Sequence, residues 1–435
     1  MPIRALLPAA LALLLAAAPS AAAADYVPGE VIVKYRDGTA ATVQAGVEEA
    51  AGIDEEQALA DGSAQLEIED GESVPATIEE LRDDPNVAYA VPNLIAHASA
   101  PFFPNDPGFA LQWNFNGPFS INMPDAWDLA RQRRAPGGRG AVVAVLDTGV
   151  AYRDFRRRYK RVPDLRNFVR GRDFVDGDRF PLDLNGHGTH VSGTIGQSTN
   201  NRRGAAGIAY RTQIMPLRVL DSTGAGDTVA IARAIRFAAR RRVHVINLSL
   251  EFDSSVRATQ IPNIVSAIRY ARRRGKAVVA AAGNQAAGTV AYPARAPGVI
   301  AVAATTFNGC EADYSNAGSD VDIAAPGGGI DAPNDDNAWD SEHCRPDDRG
   351  RFIYQQTFSS GIGRFGLPGG YEGTSMAAPH VSGIAALVVA SRVIGSRPSP
   401  RAIELHLERT ARDAGPTGFD HRYGHGLVDA AAALR

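Results

Sequence analysis

From about residue 103 onwards, short and mainly apolar segments alternate with longer amphipathic ones, and this alternation restricts the fold more than any other feature of the chain. The apolar runs predict five strands, at residues 141–146, 214–220, 243–250, 277–282 and 299–304. Helical periodicity predicts three helices, at residues 228–242, 262–274 and 375–390. Fully apolar strands that alternate with helices form parallel sheets covered on both faces. The sequence therefore predicts an α/β fold of three layers with a mostly parallel central sheet.

Polar residues follow two of these predicted strands directly. Asp147 comes after the strand at residues 141–146, and Gly283-Asn284 follows the strand at residues 277–282. In open parallel sheets, functional groups gather at the carboxyl ends of the strands. We therefore expect the functional site at this edge of the sheet.

Asp147, His187 and Ser375 stand in this order along the chain, each within a dense motif. Asp147 opens an Asp-Thr-Gly sequence, His187 lies in NGHGTHVSGT, and Ser375 lies in GTSMAAPH. A serine nucleophile needs a base to take its proton, and the base needs an acid that holds its tautomer and balances its charge. The three motifs together predict Ser375 as nucleophile, His187 as base and Asp147 as the orienting acid.

Each of these residues taken alone also has an ordinary structural explanation. A serine near a helix start is often only an N-cap, and an aspartate after a strand often only caps a turn. His187 and His190 would share one face of a helix, as metal-binding histidines do, but a zinc protease motif needs glutamate where Gly188 stands. The zinc-protease interpretation is therefore disfavoured, and the family resemblance described next, which assigns the base to His187, implies that His190 is a packed or hydrogen-bonded structural residue.

The three motifs and their order resemble those of the subtilisin family of serine proteases, over residues 26–435. The resemblance implies a subtilisin-like three-layer fold and an oxyanion hole formed by the Asn284 side-chain amide and the Ser375 N–H. It also implies a substrate that lies as an extended strand between two enzyme segments. The substrate-binding positions it assigns are Gly224, Ala225, Gly226, Leu248, Ser249, Leu250, Gly283 and Ala291.

Two of the substrate-binding regions depart from the pattern of the family. Glu251-Phe252 replaces a glycine pair that is common after the strand, so a carboxylate there would either favour a basic side chain or narrow the cleft. Ala291 replaces a glycine at the floor of the primary specificity pocket, and its methyl group would make that pocket shallower. From the sequence we expect broad specificity that accepts small or medium side chains.

The first 24 residues have the composition of a signal peptide. Arg4 precedes an apolar run at residues 5–18, and small residues at positions 21–24 suit a cleavage site. Because the apolar run is too short to span a bilayer, an N-terminal anchor is the weaker interpretation. The processed protein is expected to be secreted, extracellular, free of the membrane and monomeric.

Residues 25–99 are strongly acidic, with seventeen Asp or Glu against three Lys or Arg, whereas residues 100–435 carry a net charge of +10. This asymmetry predicts an intramolecular partner that docks with electrostatic help. The acidic segment contains predicted strands at residues 31–35 and 87–91 and a predicted helix at residues 74–83. It resembles the inhibitor-like propeptides of subtilisins, with self-cleavage expected between residues 96 and 103; a permanent accessory domain is the alternative.

The division into domains follows from these observations: a signal peptide at residues 1–24, a small α+β propeptide at 25–99 and a peptidase domain at 100–435. Arginine runs at residues 240–242 and 272–274 lie at predicted helix ends, where cations complement the helix dipole. We therefore expect no nucleic-acid partner. The expected partners are protein or peptide substrates and the chain's own propeptide.

Resemblance to thermitase-like members of the family implies one or two structural calcium ions, which prefer oxygen ligands. The first site is assigned to Asp106, Asp164, Ser198, Asn201, Arg203 and Ala205. The second site is assigned to Asp173, Asp176 and Asp178. Each acidic cluster has a solvated turn as its alternative.

The only cysteines, Cys310 and Cys344, form a plausible disulfide in an exported protein, with two unpaired thiols as the alternative. Two stretches, at residues 152–162 and 327–371, have the appearance of insertions relative to simpler members of the family. The second of these stretches contains Cys344.

The sequence predicts a secreted serine endopeptidase that is made as a self-processing zymogen. A lipase or esterase would have G-x-S-x-G at its nucleophile, but Ala377 stands where the last glycine belongs, and the order of the three residues differs. A catalytically inactive binding or inhibitory protein of the same fold is the remaining alternative. It is disfavoured because Asp147, His187, Ser375 and Asn284 are all present.

Overall fold

The computed structural model describes residues 26–95, 101–333, 344 and 350–435. The chain divides into two units, Met1–Ala100 and Pro101–Arg435. The predicted signal peptide, and residues 96–100 of the window expected for self-cleavage, lie outside the described residues.

The N-terminal unit is an antiparallel sheet with two helices. Its strands are β1 (Tyr26–Tyr35), β2 (Ile53–Ala58), β3 (Ala64–Ile68) and β4 (Val87–Leu94). They lie in the order β2-β3-β1-β4, and the helices are α1 (Ala41–Ala50) and α2 (Val74–Asp83). Its core contains Val31, Val33, Leu66 and Leu81. The predicted helix and both predicted strands of this unit are confirmed.

The larger unit is built on a seven-stranded sheet in which every pairing is parallel. The strand order is β11-β10-β9-β8-β5-β7-β6. The bounds of these strands are β5 Val142–Asp147, β6 Arg172–Asp173, β7 Gln213–Arg218, β8 Val245–Leu248, β9 Ala277–Ala281, β10 Ile300–Thr305 and β11 Ile323–Pro326. A separate two-stranded hairpin joins β12 (Thr357–Phe358) to β13 (Phe365–Gly366).

Helices cover both faces of this sheet, as alternate strand residues require. Val143 and Val145 of β5 face one core and Ala144 and Leu146 face the other. The helices of this unit are α3 Met123–Gln132, α4 His187–Gly196, α5 Thr228–Ala239, α6 Pro262–Arg273, α7 Thr374–Ser391 and α8 Pro400–Thr410. Residues of α5 and α6 pack on one face, whereas residues of α3, α4, α7 and α8 belong to the core on the other. The predicted three-layer α/β fold is confirmed.

The five strands and three helices predicted for this unit are all present, with ends that differ by up to three residues. The prediction missed α3, α4 and α8 and the strands β6 and β11. Helix α4 gave no amphipathic signal because all of its residues after His187 are buried.

The second predicted insertion, residues 327–371, carries the β12–β13 hairpin and a disulfide partner. Cys344 is bonded to Cys310, which confirms the predicted disulfide. Among the described residues, only α7 is long and apolar enough to cross a membrane, and 83% of it is buried inside the protein. Helix α7 is therefore a core helix of this unit.

Candidate active site

Asp147 is the last residue of β5, at the carboxyl edge of the parallel sheet. Its side chain is fully buried, and its Oδ1 accepts a hydrogen bond of 2.7 Å from the Thr148 N–H. Because the strands beside β5 end at the same edge, the loops that follow them can meet above this carboxylate.

His187 is the first residue of α4 and contacts Asp147 directly. Its Nδ1 lies 2.7 Å from Asp147 Oδ1, so an Nδ1–H that donates to the carboxylate leaves Nε2 free to take a proton. Burial of the imidazole opposes protonation, but the charge of Asp147 and its hydrogen bond outweigh burial and raise the pKa of His187. The side chain remains about a quarter exposed, at 24%, which is compatible with contact with a substrate.

The loop that leads into α4 is held by a buried carboxylate, Asp183, which sequence reasoning missed. Its oxygens accept hydrogen bonds from the Thr148 hydroxyl, the backbone N–H groups of Asn185 and Gly186, and both the N–H and the hydroxyl of Thr189. Gly186 has φ 110°, which favours glycine at this position. The signal that could have revealed Asp183 is an aspartate two residues before Asn-Gly, which is typical of a side-chain-bonded turn.

Ser375 lies at the N-terminal end of α7, where the first backbone N–H groups have no partner within the helix. Its carbonyl accepts a 2.8 Å hydrogen bond from the Ser249 hydroxyl, which ties α7 to the segment after β8. Ser375, His187 and Asn284 line one cavity of about 470 Å³. The structure therefore brings together the nucleophile, base and oxyanion residues predicted from the sequence.

The side chain of Asn284 is held by the residue before Ser375. Its Oδ1 accepts hydrogen bonds from the Thr374 N–H at 2.8 Å and from the Thr374 hydroxyl at 2.9 Å. These two bonds fix which end of the amide carries the donor. Gly283, with φ 119°, permits this turn, and a side chain there would overlap Asn316. Asn284 Nδ2 is therefore available as a fixed hydrogen-bond donor near Ser375.

Five of the eight predicted substrate-binding residues line the same cavity: Gly224, Ala225, Gly226, Ser249 and Leu250. The other three, Leu248, Gly283 and Ala291, are buried and do not line it. Leu248 belongs to β8, and the Ala291 N–H donates to the carbonyl of Ala282. Ala291 is fully buried and does not border this cavity, and its assignment to the floor of the specificity pocket stays a prediction.

His190 has the structural role expected from the sequence. It is fully buried, its Nε2 lies 2.9 Å from the carbonyl of Ile353, and its ring stacks on Tyr371 at a centroid distance of 4.2 Å. Burial lowers the pKa of His190 to about 3, so the ring is neutral at ordinary pH. A neutral ring that donates from Nε2 to a carbonyl is well suited to packing.

Asp106, Asp164 and Asn201, assigned to the first calcium site, lie together in the structure. Asp106 accepts the Asn201 N–H at 2.9 Å, and Asp164 accepts the Asn201 amide at 2.6 Å. Both carboxylates are buried, at 4% and 0% exposure, and burial raises the pKa of Asp164 to about 6. The buried Oε1 of Gln197 beside Asp164 has no hydrogen-bond partner among the described residues. Two buried carboxylates and an unpartnered oxygen fit a cation site.

The remaining residues assigned to this site lie on the same loop. The Ser198 N–H donates to the Asp164 carbonyl at 2.9 Å. Ser198, Asn201 and Arg203 line a surface hollow of about 430 Å³, whereas Ala205 is fully buried.

The residues assigned to the second calcium site do not fit a cation, because an arginine already supplies the positive charge. Arg218 Nη1 lies 2.8 Å from Asp173 and 2.6 Å from Asp176. The side chain of Asp178 accepts the Phe180 N–H instead. The expectation of calcium at this position is therefore corrected: the acidic residues form an ion-paired turn around Arg218.

A parallel sheet whose carboxyl edge brings a histidine and a helix-start serine to one cavity, with a buried aspartate behind the histidine, defines a class of serine hydrolases with the chain order Asp, His, Ser. Comparison with known proteins agrees with this class. Residues 138–426 match the model of the subtilase family, and residues 15–93 match that of the fervidolysin N-terminal prodomain. The chain belongs to the subtilase family and is a thermitase-like serine endopeptidase with an N-terminal prodomain.

Individual relatives are similar over most of the chain. Thermitase of Thermoactinomyces vulgaris is 36% identical over 335 residues, which are 77% of this chain and 100% of that protein. An extracellular protease of Xanthomonas campestris pv. campestris is 32% identical over 495 aligned residues, covering 98% of this chain and 77% of the relative. A solved protease structure from Pseudoalteromonas arctica has a TM-score of 0.62 at 34% identity and covers 76% of this chain and 98% of the other.

Proposed function

We propose that this protein is a secreted endopeptidase that hydrolyses peptide bonds through Asp147, His187 and Ser375, by way of an acyl-enzyme. The observation that carries this proposal is the 2.7 Å contact between His187 Nδ1 and the buried Asp147, because His187 lines a cavity that Ser375 and Asn284 also line. This arrangement supplies an oriented base, a nucleophile and a donor for the developing negative charge.

In the acylation step, Ser375 Oγ attacks the peptide carbonyl while His187 Nε2 takes its proton. The buried charge of Asp147 stabilises the imidazolium that forms, consistent with the raised pKa of His187. His187 then gives the proton to the leaving amine, and the acyl group remains on Ser375. In the second step, His187 takes a proton from a water molecule as the water oxygen attacks the acyl carbon. The bond between that carbon and Ser375 Oγ then breaks, and His187 returns the proton to Oγ.

In both steps the carbonyl oxygen becomes negatively charged, and two donors stabilise it. One is Asn284 Nδ2, held in place by Thr374, and the other is the Ser375 N–H in the first turn of α7. Because these donors are fixed before the reaction, they stabilise the transition state without being reorganised.

We further propose that residues 1–24 are a signal peptide and that residues 25–99 are a propeptide that inhibits the peptidase domain at 100–435. The match to a prodomain model and the net charge of −14 on residues 25–99 support this division. The extracellular location in the name of the Xanthomonas relative supports export. Self-cleavage is placed between residues 96 and 103.

Calcium would be held at one site, by Asp106, Asp164 and Asn201 with carbonyls from Ser198, Arg203 and Ala205. When bound, the ion neutralises the two buried carboxylates. Its role is structural, since Asp106 already fixes the loop through its hydrogen bonds to the N–H groups of Asn200 and Asn201.

The test compares the secreted wild-type protein with Ser375→Ala, both expressed with calcium, by intact mass and N-terminal sequencing. The wild type should lose residues up to about 99, whereas Ser375→Ala should retain them, since loss of the catalytic serine lowers turnover about a millionfold. A peptide-cleavage assay on the purified proteins should show the same difference. Retention of peptidase activity by Ser375→Ala would overturn the proposed mechanism.

A further inference from the structure

Glu251 places a carboxylate inside the cavity that contains Ser375 and His187. It follows Leu250 in the segment after β8, and its side chain reaches the turn that carries Asn284. Glu251 Oε2 accepts the Asn284 N–H at 2.6 Å, and its Oε1 lies 3.5 Å from Asn284 Nδ2. The carboxylate therefore borders the proposed oxyanion donor.

The charge of Glu251 is not balanced by a positive group. Over residues 26–95, 101–333, 344 and 350–435, no Lys, Arg or His side chain forms an ion pair with it, and the charge that acts on it, on Asp253, has the same sign. Burial raises the pKa of Glu251, and the charge of Asp253 adds to that effect, while the hydrogen bonds from Asn284 lower it. A half-buried carboxylate without a counter-charge is unfavourable, so a cation that arrives at this position is stabilised strongly.

The position of the proposed oxyanion donor, Asn284 Nδ2, identifies the substrate residue that lies nearest to Glu251. This step rests on the proposed function, in which the reacting carbonyl oxygen lies within hydrogen-bond distance of Asn284 Nδ2. Because Glu251 Oε1 is 3.5 Å from that same nitrogen, the substrate residue nearest to the carboxylate is the one that supplies the reacting carbonyl. Its side chain enters the cavity beside Glu251.

We propose that Glu251 is a specificity-determining residue that makes this peptidase prefer lysine or arginine immediately before the cleaved bond. An ammonium or guanidinium group forms a charge-assisted hydrogen bond with the carboxylate, which an uncharged side chain of similar length does not. This preference differs from the broad acceptance of small and medium side chains expected from the sequence.

The test uses peptides that are identical except for the residue before the cleaved bond, which is lysine, arginine or norleucine. The wild type should cleave the lysine and arginine peptides with kcat/KM about 10- to 100-fold above that for norleucine, the range for a hydrogen bond to a charged group. Glu251→Gln keeps an oxygen for the Asn284 N–H. In this variant, the kcat/KM for the lysine peptide divided by that for the norleucine peptide should fall by the same factor.

Asp253→Asn is the matched control, because it removes an exposed carboxylate from the same segment and should leave the ratio unchanged. A further measurement needs no variant: benzamidine, a cation, should inhibit the wild type at least about tenfold more strongly than uncharged benzamide.

Three results would overturn the proposal. The first is a wild type with nearly equal kcat/KM for the lysine and norleucine peptides. The second is a Glu251→Gln variant that loses activity equally on all peptides, and the third is equal inhibition of the wild type by benzamidine and benzamide. An equal loss on all peptides would instead mean that Glu251 only positions Asn284. In each of these cases the norleucine peptide is still cleaved, so the proposed endopeptidase function stands; a wild type that cleaves none of the peptides contradicts that function itself.

Discussion

Asp183 accepts a hydrogen bond of 2.9 Å from the hydroxyl of Thr148, the residue that follows Asp147. The same carboxylate also holds the turn before His187 through the N–H groups of Asn185 and Gly186. The Thr148 hydroxyl in turn accepts the Gly188 N–H at 2.9 Å. One buried aspartate therefore connects the end of β5 to the start of α4 and sets the distance between the proposed acid and base.

Replacement of Asp183 by alanine should destabilise the peptidase unit by several kcal/mol. The substitution leaves buried donors of Thr148, Thr189 and the turn backbone without acceptors, at about 1–3 kcal/mol for each donor that stays unsatisfied. Urea unfolding in a Ser375→Ala background, which avoids self-digestion, measures the change. The isosteric Asp183→Asn variant retains an acceptor oxygen, so its free energy of unfolding should decrease less than that of Asp183→Ala. Equal stability of the alanine variant and its parent would contradict the role given to Asp183.

Replacement of Asn284 by alanine should lower kcat about 100- to 1000-fold with little change in KM, because the donor acts on charge that develops in the transition state. Thr374→Val removes only the hydroxyl that holds Asn284 Oδ1, and the backbone N–H remains. The decrease in kcat for Thr374→Val should therefore be smaller than for Asn284→Ala, up to about tenfold. Steady-state kinetics on one peptide substrate compares the two variants. A change in KM alone for Asn284→Ala would show that Asn284 binds the ground state instead.

The activity should rise with pH as His187 loses its proton, because only the neutral imidazole acts as a base. Burial of His187 favours the neutral form, but the negative charge of Asp147 favours the protonated form more strongly, so the pKa is raised. The acid limb of the kcat/KM profile should therefore lie above the ordinary histidine pKa of about 6.5.

Asp147→Asn tests the cause of this shift. It should lower kcat about 10,000-fold, since the imidazole is no longer held in the correct tautomer. The acid limb of the residual activity should also move to lower pH, because the charge that raises the pKa of His187 is gone. If the acid limb of the pH–activity profile lies at the same pH in Asp147→Asn as in the wild type, a group other than His187 is responsible for it.

The sequence predicted the fold because the fold depends on local patterns, and the proposed catalytic residues were likewise selected from local motifs. Mainly apolar runs of six to eight residues marked the five strands that lie in the interior of the sheet, between β11 and β6. Asp147, His187 and Ser375 each stand in a distinctive motif, and their meeting in space follows from the edge of the parallel sheet.

Contacts between distant segments could not be predicted in the same way. The pairing of Arg218 with Asp173 and Asp176 joins the end of β7 to the end of β6 and the turn after it, 45 and 42 residues earlier in the chain. The acidic residues alone therefore appeared suited to calcium. Glu251 was visible as a departure from the family pattern. Its contact with Asn284, on which the proposed preference for basic side chains rests, depends on how two loops pack.

Removal of calcium should lower the melting temperature of the Ser375→Ala protein, because the buried carboxylates of Asp106 and Asp164 then lack a counter-ion. An ion present at about 100 times its Kd stabilises a fold by about 2.7 kcal/mol. Asp164→Asn should abolish the difference in melting temperature between calcium and a chelator. Asp178→Asn, an exposed residue of the other acidic cluster, should retain that difference.

This calcium-dependent stabilisation should also weaken as the pH falls. Burial raises the pKa of Asp164 to about 6 in the protein without metal, above the value of about 3.9 for an unfolded chain. Asp164 thus binds a proton more tightly in the folded state than in the unfolded state. Without calcium, the free energy of unfolding therefore falls as the pH rises from about 4 to about 6, because Asp164 ionises less readily in the folded protein. Calcium requires the ionised carboxylate, so a proton competes with it below about pH 6. Calorimetry at several pH values gives the melting temperature with calcium and with a chelator. The difference between these two temperatures should shrink towards pH 5, and a difference that stays constant would exclude Asp164 as a ligand.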